Sequence, residues 1–155
     1  MRSPSFNKYI NSLDHEELKT EIKHLFKKIP AVKEYYKMEL GSETERKKLF
    51  DKAKEEIRSR YATKSYRRPR KPRIQKINKI LSTMKKKSIF QHELVDLYLF
   101  DIETCIDFAR NYQLHTQVMQ NHIDQVFQRA QLIIEGDQLG EMFKSRLVNI
   151  EKWIS

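Results

Sequence analysis

The sequence predicts an all-α protein: about seven helices in antiparallel hairpins, forming a single helical bundle or short helical stack. Three observations carry that expectation. Gly and Pro, the residues that most often interrupt regular structure, number only three and four in 155. Long Glu/Lys/Leu/Ile-rich stretches supply strong helix formers. Apolar side chains recur at spacings of three and four, which gives each stretch one face to bury when it coils as a helix.

The first predicted helix opens at Asp14, with Glu17 as its capping-box partner and Leu13 with Leu18 as a hydrophobic staple. Its stripe runs Leu18, Ile22, Leu25, Phe26 and Ile29. Pro30 ends it and, with φ fixed and no amide proton to lose, suits the start of the next helix. Gly41 is expected as a left-handed stop. Ser42 and Glu45 repeat the capping-box pattern ahead of a third helix, which closes near Tyr61. Residues 62–72, ATKSYRRPRKP, have two prolines and no apolar period, so they read as an extended connector. A short fourth helix follows from about Arg73. The fifth, over about 89–112 with Ser88 and Gln91 as caps, is apolar on more than one side and belongs at the centre. Thr116 is expected to cap the sixth and Asp137 the last, with Gly136 between them. The expected organisation is one domain, 1–155, with N-terminal helices over 12–61, the basic connector over 62–72 and C-terminal helices over 73–155.

A chain of this length is large enough to bury about 70% of the surface exposed on unfolding, without metal or disulfide staples. One Cys excludes a disulfide framework. Glycines at 41, 136 and 140 form no phosphate-cradling or dinucleotide-binding pattern. No run of 18 apolar residues occurs, and the opening MRSPSFNKYI lacks the apolar segment of a signal peptide. The expectation is a cytoplasmic protein with no membrane contact.

Charge is concentrated. Between Ala62 and Lys87 lie eleven Lys+Arg and no Asp or Glu, whereas the whole chain carries +10. Residues 88–155 hold 5 basic and 10 acidic side chains. Such a patch attracts phosphates, or an acidic protein, at a distance. The expected nucleic-acid-binding residues are Lys64, Tyr66, Arg67, Arg68, Arg70, Lys71, Arg73 and Lys76 in the segment 64–87. Guanidinium forks match phosphate oxygens, and Tyr61 and Tyr66 flank the run where RNA or DNA bases could stack. The alternative is a protein–protein or self-associating helical adaptor, either through the same basic segment on an acidic partner or through a groove near Tyr35, Tyr36 and Tyr98. A solvated loop, or one docked on the acidic C-terminal portion, is the plainer reading. No RNP-like strand, zinc-ligand spacing or helix-turn-helix signature accompanies the patch.

Catalytic, metal and cofactor signals are weak, and no enzyme activity or cofactor is expected. Glu93, Asp96, Glu103 and Asp107 share the central helix, and paired carboxylates can hold metal or divide acid and base roles. A di-metal bundle site, however, wants Glu-x-x-His pairs, which this chain lacks. Glu103, among apolar neighbours, is expected to be partly buried. His115 and His122 stand about 10.5 Å apart along a helix, too far for one ion, and read as surface or capping residues. Cys105 continues an apolar stripe, so it reads as a buried small hydrophobe.

Three segments, SLDHEELKTEIKHLFKKIPAVKEYYKMEL, DLYLFDIETCIDFARNY and FQRAQLIIEGDQLGEMFKSRLVNI, resemble a family of small all-helical bacterial proteins known only as a domain of unknown function. The resemblance covers most of residues 12–150. Its most specific parts are VKEYY after Pro30 and LYLFDIET, which contains Tyr98 and Glu103. It implies an all-helical fold, a bacterial cytoplasmic setting, and no established activity, cofactor or catalytic residue.

Overall fold

A computed structural model describes residues 3–155. Among the described residues the chain is all α: α1 (Ser3–Ser12), α2 (His15–Lys28), α3 (Pro30–Leu40), α4 (Glu43–Tyr61), α5 (Ile74–Lys87), α6 (Gln91–Tyr112), α7 (Gln117–Gly136) and α8 (Gly140–Ile154). The helix beyond the expected number is α1. Its apolar positions Phe6, Tyr9 and Ile10 are too few to declare a period, but Pro4 presets helical φ in its first turn.

The capping signals that depend on a side chain of the right length are realised. Asp14 Oδ1 accepts the Glu17 amide proton at 2.8 Å, and the Asp14 amide donates back to Glu17 at 3.1 Å. Ser42 and Glu45 exchange the same pair of bonds at 3.2 and 3.3 Å. Thr116 accepts from the Met119 amide at 3.2 Å. Each satisfies amides that the helix's own carbonyls cannot reach.

Three expected stops and starts differ. Gly41 lies at φ −67, ψ 153, in extended backbone, because it feeds directly into the Ser42 cap. Ser88 closes α5 instead of opening α6: its amide donates to Met84 O at 2.8 Å and its hydroxyl to Phe90 O at 3.1 Å. Phe90 takes the N-cap position of α6 with no side-chain cap, beneath the Arg46 guanidinium 4.4 Å from its ring centroid. Asp137 ends α7, and Gln138 adopts φ 55 while the Leu139 amide donates to Ile134 O at 2.9 Å; α8 then begins at Gly140. That left-handed residue with its backward amide bond is a helix C-terminal stop.

The helices divide into two compact units between Gly41 and Ser42. In the first, α2 packs on α3, and Met38 is the one buried side chain among its described residues. A groove of about 300 Å³ there is lined by Ile22, Phe26, Tyr36 and Leu40, and Leu40 is 80% exposed.

In the second unit, α6 is the central element. Eleven of its residues are buried, from Leu94 and Val95 through Ile102 to Phe108 and Ala109, and they cover more than half of its circumference, leaving Asp96, Glu103 and Asp107 on the remaining face. Burying each large apolar side chain contributes about 1.5–3 kcal/mol, so a helix with so wide a buried face needs several neighbours to cover it. Helix α4 runs beside it in the same direction, as the pairs Arg46–Glu93, Lys54–Asp96 and Tyr61–Asp101 require. Helix α7, joined to α6 by a four-residue turn, returns along it and sets His122 against Asp101. Helix α5 packs on α4, α6 and α7, and α8 on α6 and α7. Lys54 Nζ and Arg146 Nη1 meet the carboxylate of Asp96 at 2.7 and 2.5 Å, and Arg146 also holds Glu103 at 2.7 Å, so α4, α6 and α8 share one ion network.

Candidate nucleic-acid interface

The connector between α4 and α5 is a braced loop. Thr63 Oγ1 accepts the Arg70 amide proton at 3.0 Å, and Ser65 Oγ accepts that of Arg68 at 3.3 Å. Short hydroxyl side chains commonly close turns in this way, standing in for backbone acceptors. Arg67 and Arg68 sit within the span so closed, and Pro69 stiffens it.

The loop brings an exposed aromatic ring onto a fixed base. Tyr66 is 75% exposed, and its ring lies 5.0 Å from that of Tyr112, tilted by 37°. Tyr112 in turn lies 4.9 Å from Phe108, which is buried and 6.1 Å from Tyr61. These are favourable aromatic separations. The four rings lead from solvent at Tyr66 to the interior at Tyr61.

Around this platform the cations stand free. Lys64, Arg67, Arg68, Arg70, Lys71, Arg73 and Lys76 are all exposed. Among the described residues, none of the eleven cations between Lys64 and Lys87 forms an ion pair. The docked loop envisaged as the plainer reading is therefore not held by acidic residues; aromatic contact and two hydroxyls hold it. The carboxylates of α6 are engaged elsewhere: Glu93 with Arg46, Asp96 with Lys54 and Arg146, Glu103 with Arg146, while Asp107 faces solvent.

Tyr61 does not flank the run as a stacking surface. It is 4% exposed, and its hydroxyl donates to Asp101 Oδ1 at 2.9 Å. Burial, Asp101 and Cys105 together push its phenol well above the usual tyrosine range. His122, expected at the surface, is 3% exposed with Nε2 2.6 Å from Asp101 Oδ2. Its Nδ1 is buried without a hydrogen-bond partner. Asp101 thus has no exposed surface and is met by the Tyr61 hydroxyl from α4 and the His122 ring from α7. Burial pushes the neighbouring Cys105 thiol up to about 12, opposed by its bond to Tyr61. His115 lies instead on the outside, its ring 5.4 Å from Trp153. Tyr98 is buried in the second unit, 2% exposed.

The sequence reading passed over Lys52 and Arg60. Both are exposed on α4, and the packing of α4 on α5 sets them around one groove with Lys76, Lys79 and Lys87. The groove encloses about 360 Å³ over Leu49, Ala53 and Ile80. Asp101 had a local signal, since alone among the carboxylates of α6 it falls on the side of Leu94, Tyr98, Ile102 and Cys105; the Lys52–Arg60 pairing depends on tertiary packing.

An all-α protein built on one buried central helix, with a braced cationic loop at its surface, is the class these features define. The chain belongs to DUF6155, a family of unknown function, whose family model matches residues 1–154. No curated protein and no solved structure matches it. No helix among the described residues is long and apolar enough to cross a membrane.

Proposed function

We propose that this chain is a non-enzymatic nucleic-acid-binding module of the cytoplasm that engages unpaired bases through the basic segment 64–87. The observation that carries the reading is Tyr66, exposed yet seated on Tyr112 in a braced loop whose arginines form no ion pair among the described residues. An open π-face beside free guanidinium groups suits a single strand, where bases stack and phosphates find cations. A duplex hides its base faces, so it gains only the phosphate contacts. Support for a binding role over a catalytic one comes from the Tyr61–Asp101–His122–Cys105 cluster. It unites reactive side-chain types, but in a sealed interior and with a thiol pushed up to about 12.

Fluorescence-anisotropy titration with single-stranded RNA and duplex DNA across a salt series tests the reading. The comparison is between wild type and a variant with Arg67, Arg68, Arg70, Lys71 and Arg73 changed to Gln. We expect single-strand affinity to fall with log salt at a slope of about −0.7 per phosphate contact, and the variant to lose most of it. Absence of wild-type binding near physiological salt would end this reading and turn attention to an acidic protein partner.

A further inference from the structure

We propose that the groove between α4 and α5 is a phosphate-binding site, occupied by the backbone of the same single strand whose base stacks on Tyr66. This inference rests on the nucleic-acid reading and extends it to residues outside the basic segment. Lys52 and Arg60 come from α4, and Lys76, Lys79 and Lys87 from α5, all around one concavity. Only Glu56 among the lining residues is acidic, and no ion pair within the described chain engages any of the five cations. Like charges gathered around one groove repel each other, and the groove walls focus their field outward; an anion relieves the repulsion.

The direction of the groove favours a strand. Arg60 lies one residue before the end of α4 and Lys76 two residues into α5, so both stand next to the connector, whereas Lys52 and Lys87 lie farther along their helices. The eight-residue step from Lys52 to Arg60 covers about 12 Å of helix. That length accommodates at least two consecutive phosphates, given a rise of about 3.4 Å per nucleotide in a stacked strand. The cationic track therefore starts beside the loop that carries Tyr66 and continues away from it.

The test compares full-length wild type with a Lys52→Gln/Arg60→Gln variant on fluorescein-labelled oligouridylates of 4 and 12 nucleotides. Both substituted residues are exposed, so the variant should keep its circular-dichroism spectrum and melting temperature. On the 12-mer we expect roughly tenfold weaker binding at low salt, and a salt slope smaller by about 1.4, the value for two lost single-strand phosphate contacts. On the 4-mer, satisfied by the loop alone, the two proteins should agree. Equal affinities and slopes on the 12-mer, with wild type still binding, would overturn the groove assignment and leave the loop reading standing. No binding of either oligomer by wild type would overturn both. Lys52- and Arg60-dependent sedimentation with phosphatidylglycerol vesicles, without any 12-mer effect, would reassign the groove to a lipid headgroup and overturn the strand proposal.

Discussion

Tyr66 rests against Tyr112, ring centroids 5.0 Å apart, and the pair ties a surface loop to the end of the central helix. The contact gives the two residues unequal tasks. Tyr66 offers its outer face to solvent, whereas Tyr112 sits between it and Phe108.

Replacing Tyr66 by Ala should therefore weaken single-strand binding by about 1–3 kcal/mol while leaving melting nearly unchanged. Phe at 66 should retain most of the affinity, because stacking needs the ring and not the hydroxyl. Tyr112→Ala should lower both affinity and melting temperature. Anisotropy and thermal melts on the three variants separate the two roles; unchanged binding by Tyr66→Ala would remove the platform from the mechanism.

Stability should be indifferent to the loop's charge. Since Arg67, Arg68, Arg70, Lys71 and Arg73 form no ion pair among the described residues, their joint neutralisation is expected to shift stability by less than about 1 kcal/mol. A large drop in melting temperature would mean that these side chains hold the loop to the body of the protein.

Asp96 should give the fold an acid-sensitive component. Burial alone would raise its carboxyl, but hydrogen bonds and charge from Lys54 and Arg146 outweigh that and hold it below the usual carboxylate value. With the folded value depressed, the contribution is complete above the unfolded value near 3.9 and is lost as pH falls through the lower, folded one. Melts of wild type and Asp96→Asn should differ at neutral pH and converge in that acid window. A gap that persisted at the lowest pH would assign the loss to packing.

Cys105 should act at the alkaline end. Its thiol, pushed up to about 12 by burial, stays protonated in the fold while the unfolded chain ionises near 8.5. Stability should thus be complete below that pH and decline as pH rises toward 12, and Cys105→Ala should flatten part of the decline. Cys105→Asp should be strongly destabilising at neutral pH, since it would place a charge at a fully buried position beside Asp101. Tolerance of Asp there would contradict the orientation of α6.

Much of this architecture was legible because it is local. Asp14, Ser42 and Thr116 cap helices in the chain as their spacing predicts, and α6 announces its central place by being apolar on more than one side. The free cations of the connector follow from a stretch without a single acid. What escaped was tertiary. Tyr61 reads like Tyr66 in sequence, both beside the basic run, yet helix packing turns one to Asp101 and leaves the other in solvent. His122 offered no local sign that Asp101, 21 positions away, would receive it. Gly41 carries the composition of a left-handed stop but stands one residue before a capping box, whose extended entry takes precedence.

The contrast between the two units governs how the molecule comes apart. A helical hairpin with Met38 as its one buried side chain has little apolar burial to offset the entropy of ordering its backbone, whereas the unit around α6 has a continuous interior. Backbone amides of α2 and α3 should accordingly exchange faster than those around the Tyr61–Asp101–His122 core. Amide protons of α6 should therefore be among the last to exchange with solvent.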